Sequence, residues 1–114
     1  MLKVFAEKFE DTAILHLRGS ITNGAATSNL REAVYSLAEI KSLVLDLTEV
    51  KLIDAGGFGV LLEIRHWAES TNAVLKLTGL SHRVRGLFQL TCLDSVFEIS
   101  TDKAVHSLMH YACG

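Results

Sequence analysis

Asp54-Ala55-Gly56-Gly57-Phe58-Gly59 is the stretch whose residue types and spacing suit it to bind something. The apolar run Leu43-Val44-Leu45-Asp46-Leu47 leads into it through a connector, Thr48 to Lys51, and Val60-Leu61-Leu62-Glu63 leads out. The pattern predicts a buried strand, a glycine-rich turn and a helix. Glycine lets a backbone turn tightly and approach its neighbours, because no Cβ intervenes. Asp54 is the expected N-cap. A helix starting there aims unpaired N–H groups and the positive end of its dipole at whatever lies above, an anion or a partner's acidic group.

The other reactive side chains lack the spacing for chemistry. Gly56-Gly57-Phe58-Gly59 is neither Gly-x-Gly-x-x-Gly nor a phosphate loop ending in Gly-Lys-Ser/Thr. His106 and His110 share a helix face, but no Glu lies between them and no third ligand is apparent, so they read as surface histidines. His16, His66 and His82 are scattered, and no Ser-His-Asp grouping can be argued from the order. Arg83 and Arg85 beside His82 read as a solvated helix face. Cys92 and Cys113 form neither a Cys-x-x-Cys pair nor a disulfide framework, and are expected to be one buried thiol and one near the C-terminus. No catalytic residue, cofactor or metal site is expected, and the chain does not read as an enzyme.

Composition narrows the partners. The chain has 114 residues, no proline and 49% apolar content, which fits one domain over 1–114. Eleven basic against 13 acidic residues give a net charge of −2 with the signs interspersed, so nucleic acid and anionic membrane are disfavoured. No run approaches the roughly 18 to 20 apolar residues that cross a bilayer, so no membrane insertion is expected and a cytoplasmic location is.

The elements that must position the glycine stretch follow from periodicity. Leu2 to Phe9 alternates as a strand, Glu10-Asp11 makes a turn, and Thr12 to Gly19 returns as its hairpin partner, ended by Gly19. Thr22 or Asn23 is the expected cap of a helix from about Ala25 to Ile40, with Leu30, Ala33, Val34, Leu37 and Ala38 on its apolar face. The strand Leu43–Leu47 precedes the glycine turn, and the next helix runs to about Ser70. Ala73 to Leu77 is a strand, Ser81 caps a short helix carrying Val84, Leu87, Phe88 and Thr91, and Val96 to Ile99 is a final strand. A last helix spans Asp102 to Tyr111, with Val105, Leu108, Met109 and Ala112 on one side. The order ββαβαβαβα predicts an α/β domain with a mixed β-sheet of four to five strands and helices packed on it.

Leu43-Val44-Leu45-Asp46-Leu47, Ile53-Asp54 leading into Gly57-Phe58-Gly59-Val60-Leu61-Leu62, and Ser81-His82-Arg83-Val84-Arg85 with Leu90 to Ile99 resemble a STAS domain over nearly the whole chain. The likeness is to bacterial anti-sigma-factor antagonists and their stressosome relatives, which regulate transcription by partner switching on a sigma factor's inhibitor. The resemblance implies a turn of the type Asp-Ser-Ser/Thr-Gly, whose second hydroxyl is phosphorylated by a kinase that is itself the anti-sigma factor. Asp54 matches the Asp, Ala55 the first Ser, and Gly56 the phosphoacceptor, which is therefore missing. Thr22 stands where an acidic residue of a Gly-Glu-Leu-Asp pattern is usual. A phosphate would bring about −1.5 to −2 charges to a helix start. Without it the protein is expected to stay in its partner-binding form. Thr48, Thr22, Ser20, Thr27 and Ser28 are the hydroxyls placed near enough to substitute, and each reads better as a cap or turn residue.

On a helical wheel Val60, Leu61, Ile64, Trp67 and Ala68 form a core face, while Phe58 and Leu62 fall beside Arg65 and Glu69 as a docking rim. The expected partner-binding residues are Thr22, Asp54, Ala55, Gly56, Gly57, Phe58, Leu62 and Arg65. The expected partner is an anti-sigma factor or serine-kinase-like protein, or a stressosome-type scaffold, with a homodimer left open. The alternative is a small-ligand module holding a nucleotide or lipid at the glycine turn and serving a transport complex.

Overall fold

A computed structural model describes residues 2–100. In chain order the elements are β1 (Leu2–Phe9), β2 (Thr12–Ile21), α1 (Ala25–Tyr35), β3 (Ser42–Ile53), α2 (Ala55–Ser70), β4 (Val74–Thr78) and α3 (His82–Leu90). The sheet runs β1-β2-β3-β4, with β1 antiparallel to β2 and the other pairs parallel. The predicted order holds as far as α3.

The two crossovers, through α1 and through α2, step the same way across the sheet. Right-handed connections of that kind place both helices on one face. That face carries Leu15, Leu17, Leu43, Leu45, Leu47 and Leu77, which join Leu30 and Val34 of α1, Leu61 and Ile64 of α2, and Val84 and Phe88 of α3 in one core. Alternate residues of the same strands, among them Phe5, Glu7, His16 and Asp46, lie on the opposite face.

Several boundaries differ from expectation, each for a tertiary reason. β3 continues through the expected connector Thr48–Lys51 to Ile53, because β2 supplies partners for it: Glu49 pairs with Arg18, Val50 with Gly19 and Ile53 with Ile21. Gly19 does not end β2 but sits beside a register shift within it, and the strand runs on to Ile21. α1 stops at Tyr35 instead of Ile40. Ser36 turns back to donate to the Ala33 carbonyl at 2.8 Å, and the chain descends until Lys41 N–H and Ser42 N–H donate to Asp11 O at 2.7 and 3.2 Å. That descent lets Ile40 be buried at the start of β3.

Residues 96–99 do not form a strand. Ile99 makes a single parallel bridge to Leu77, and Phe97 turns into the core against Phe88, with ring centroids 5.8 Å apart. Packing of that ring competes with extension along β4. Cys92 is exposed, not buried, because it takes the left-handed position (φ 59°) just past the end of α3. Cys113, His106, His110 and the expected helix Asp102–Tyr111 lie outside the described residues. Among the described residues no helix is long and apolar enough to cross a membrane.

Candidate functional site: the shared carboxylate at the starts of two helices

The β3–α2 junction contains no separate turn. Ile53 ends the strand, Asp54 is the N-cap with extended backbone (φ −97°, ψ −176°), and the helix begins at Ala55, so all three glycines lie inside it. Asp54 Oδ1 accepts from Gly57 N–H at 2.8 Å, satisfying one of the free amides of the first turn. Its Oδ2 accepts from Asn23 N–H at 3.1 Å, in the segment that leads into α1. One carboxylate therefore holds the starts of both helices in register. The Gly57 amide first, and the Asn23 amide after it, hold the Asp54 carboxyl below its usual range.

The expected cap of α1 is corrected. Neither Thr22 nor Asn23 caps it. Gly24 occupies the N-cap with no side-chain hydrogen bond, and Thr27 Oγ1 donates to Gly24 O at 2.9 Å. Asn23 is drawn instead into the contact with Asp54. The signal for its role was its polar type two residues before a helix, but its partner 31 positions away could not be read from spacing.

The glycines are needed for close approach, not for an opening above them. A Cβ at Gly57 would lie 2.0 Å from the Ile21 carbonyl oxygen, and one at Gly56 would lie 2.6 Å from Asn23 Cβ. The space where a side chain at position 56 would stand is thus filled by Asn23. Gly59 is different, with nothing within 4 Å of its missing Cβ.

The rim expected from the helical wheel divides in two. Phe58 is a correction: it is only 7% exposed and packs edge-on against Phe88, with centroids 5.0 Å apart. The α3 helix and Phe97 cover the side of α2 that the wheel left at the margin, so Phe58 belongs to the core. Leu62 is 38% exposed and shares the outward stripe of α2 with Ala55, Gly59 and His66. Arg65 lies on the flank, paired with Glu69 at 2.9 Å and donating to Val96 O at 3.2 Å.

Beside Leu62, Arg31 of α1 donates to both oxygens of Glu63 at 2.8 and 3.0 Å and holds that carboxyl below its usual range. Tyr35 and Trp67 meet there, 6.1 Å between centroids. A groove of about 520 Å³ runs between the helices past Tyr35, Gly59, Leu62 and Trp67. Arg31, Tyr35 and Glu63 were not singled out from the sequence, since a cross-helix clamp leaves no local pattern.

Two of the hydroxyls considered as substitutes are already engaged. Thr27 is buried, and Thr48 Oγ1 donates to Asp46 on β3. Arg83 does not join the glycine stretch either. It lines a second open groove with Arg18, Lys51 and Ser81, where Arg18 is already paired with Glu49. Among the described residues no group of three or more His, Cys, Asp and Glu is placed to hold a metal ion.

Comparison with known proteins agrees with this architecture. Residues 3–107 match the STAS domain model. The anti-sigma-B factor antagonist of Listeria monocytogenes serovar 1/2a is 38% identical over 66 residues, and the match spans 58% of this chain and 58% of that relative. The structure superposes on that of the anti-sigma factor antagonist SpoIIAA in its unphosphorylated form with a TM-score of 0.69 at 15% identity, covering 96% of this chain and 97% of that one. It also superposes on a sulfate transporter family protein from Wolinella succinogenes with a TM-score of 0.72 at 23% identity, covering 81% of this chain and 77% of that one. At such identities the two superpositions establish a shared fold. With the family model covering most of its length, the chain belongs to the STAS domain family.

Proposed function

We propose that this protein is a binding module of the anti-sigma-factor-antagonist type, docking a partner on the starts of α1 and α2 and on the outward stripe of α2. The contact surface comprises Thr22, Asp54, Ala55, Gly56, Gly57 and Leu62, with Arg65 on its flank and Asn23 added. The partner is an anti-sigma factor or related serine-kinase-like protein. Ala55 and Gly59 leave the stripe flat, Leu62 supplies an exposed apolar anchor, and the Arg31–Glu63 pair borders it with charge.

The observation that carries the reading is the Asp54 carboxylate bound to Gly57 and Asn23. It preorganises a surface from two elements, so docking need not order them, which lowers the cost of association. Position 56 bears no hydroxyl, and its side-chain space is taken by Asn23. Binding is then not switched off by phosphorylation there.

The small-ligand alternative is less well supported. It needs room over Gly56 and Gly57 at the helix start, and Asn23, Ile21 and Ile53 occupy the positions nearest to them. The experiment is binding of the purified anti-sigma-type kinase from the same source, with and without ATP. Wild-type protein binds in both conditions and gains no phosphate mass, while Leu62→Glu with Arg65→Glu binds at least tenfold more weakly with an unchanged circular dichroism spectrum. Undiminished binding by the folded variant moves the surface elsewhere, and a phosphate on any residue removes the unswitched mechanism.

A further inference from the structure

The two edges of the sheet are not equivalent. The outer edge of β4 is partly closed: Leu77 N–H donates to Glu98 O at 2.9 Å, and Ser100 N–H donates to Leu77 O at 2.9 Å. β1, at the other end of the sheet order, pairs among the described residues only with β2. It is eight residues long, its register with β2 is uninterrupted from Leu2↔Gly19 to Phe9↔Thr12, and it contains neither bulge nor proline. An edge of that length and regularity presents unpaired N–H and C=O groups to any strand that can meet it.

The side chains of β1 say which strand that is. On the face away from the helices it carries, in order, Lys3, Phe5 and Glu7, all exposed, with Phe5 54% exposed. Antiparallel pairing of this strand with a copy of itself about a two-fold axis at Phe5 sets Lys3 opposite Glu7 of the copy, Phe5 opposite Phe5, and Glu7 opposite Lys3. Both charged pairs are then favourable and the aromatic rings meet at the centre, as cross-strand neighbours do. Moving the axis by one residue either way, the smallest step that keeps the two faces matched, sets Lys3 against Phe5 or against Phe9, so the charges single out the first register. His16 Nε2 lies 3.0 Å from Glu7 Oε1 and steadies that carboxylate on the same face.

On the helix side, Leu2 and Val4 border a groove of about 410 Å³ between the strand edge and α1, lined also by Asn29, Glu32, Ala33 and Ser36. The paired copy would bring its Ala6 opposite Val4 and the stem of its Lys8 opposite Leu2. A small residue and a flexible stem suit a groove already bounded on its far wall by a helix.

We propose that two copies of this chain associate through β1, joining their four-stranded sheets into one of eight strands, with Lys3–Glu7 pairs on either side of a central Phe5–Phe5 contact. The interface is isologous, as a two-fold dimer requires. It leaves the α2 stripe free, so it is independent of the docking surface proposed above.

The test is mass measurement by light scattering at protein concentrations on the order of 100 µM, where micromolar association is near saturation. Wild type gives twice the 12.5 kDa chain mass. Lys3→Glu and Glu7→Lys each weaken dimerisation at least tenfold, since each change acts twice across the axis, and the double variant Lys3→Glu/Glu7→Lys restores it. Circular dichroism confirms that all three remain folded. A second readout covers variants that fail to fold. In a Cys92→Ser/Cys113→Ser background, Phe5→Cys forms an intermolecular disulfide on mild oxidation, because cross-strand Cβ atoms lie about 4.5–5.5 Å apart. Phe9→Cys does not, because its own copy lies eight residues away along the strand, about 26 Å. A monomeric wild type, a dimer indifferent to the single reversals, or a double variant that stays monomeric overturns the proposal.

Discussion

The two helix starts at the site contain the same small residues and solve the same problem differently. α2 begins under a side-chain cap, Asp54 to Gly57, on a backbone that any residue can adopt. α1 begins at Gly24, whose φ of 109° and ψ of −131° lie in a region essentially reserved for glycine, with no side-chain cap at all. One start is held by a hydrogen bond and the other by conformation, and the Asp54 carboxylate reaches across to tie them together. Glycine at such a site therefore has no single meaning: Gly24 is required by its dihedral angles, Gly57 by a neighbouring carbonyl, and Gly59 by neither.

Substitutions can break this comparison in order of size. Gly57→Ala sets a methyl group into the Ile21 carbonyl, which is backbone and cannot swing aside; about 3 kcal/mol of stability is expected to be lost, read from urea unfolding. Gly24→Ala meets no atom within 4 Å, yet is expected to lose about 2 kcal/mol through its dihedral angles alone. If the Gly24 variant proves the more damaging, the steric reading of Gly57 is wrong. Gly56→Ser meets Asn23 and should cost about 1–2 kcal/mol, with much of that recovered when Asn23→Gly is added. A full cost persisting in the double variant would show that Asn23 is not the obstacle.

Asp54→Asn sharpens the comparison through pH. The native carboxyl titrates below its unfolded value of about 3.9, so its contribution is fully present above that pH and is lost as pH falls through the native value. The stability gap between wild type and Asp54→Asn is expected to be widest near neutrality and to close below about pH 4. A gap that stays constant would assign the effect to shape, not charge. The smallest effect runs the other way: Gly59→Ala, in open space on a regular helix, should stabilise by about 0.5–1 kcal/mol and show as a higher unfolding midpoint.

Much of this molecule was legible before its structure. Alternating and helical periodicities located every element from β1 to α3, and Asp54 and Ser81 were recognisable as caps because both lie just before an apolar helical pattern. Boundaries were less legible where a partner strand decides them. Thr48 to Lys51 reads as a connector locally and becomes strand only because β2 runs beside it. Phe58 shows the same limit at the site. The wheel placed it at a margin shared with Arg65, and only α3, some 25 to 30 positions later, decides that this margin is covered while that of Leu62 stays open.

By itself the sequence determined the kinds of element, their order as far as α3 and the glycine at position 56, since these depend on local propensity and identity. Only the tertiary structure decided what that glycine touches. Asn23 and Ile21 come from a segment 30 or more residues away, and their approach depends on a parallel strand register that no local pattern encodes. The shared carboxylate, the burial of Phe58 and the place of β1 at the end of the sheet order are all consequences of which strands and helices become neighbours, and that is set by packing the whole core at once.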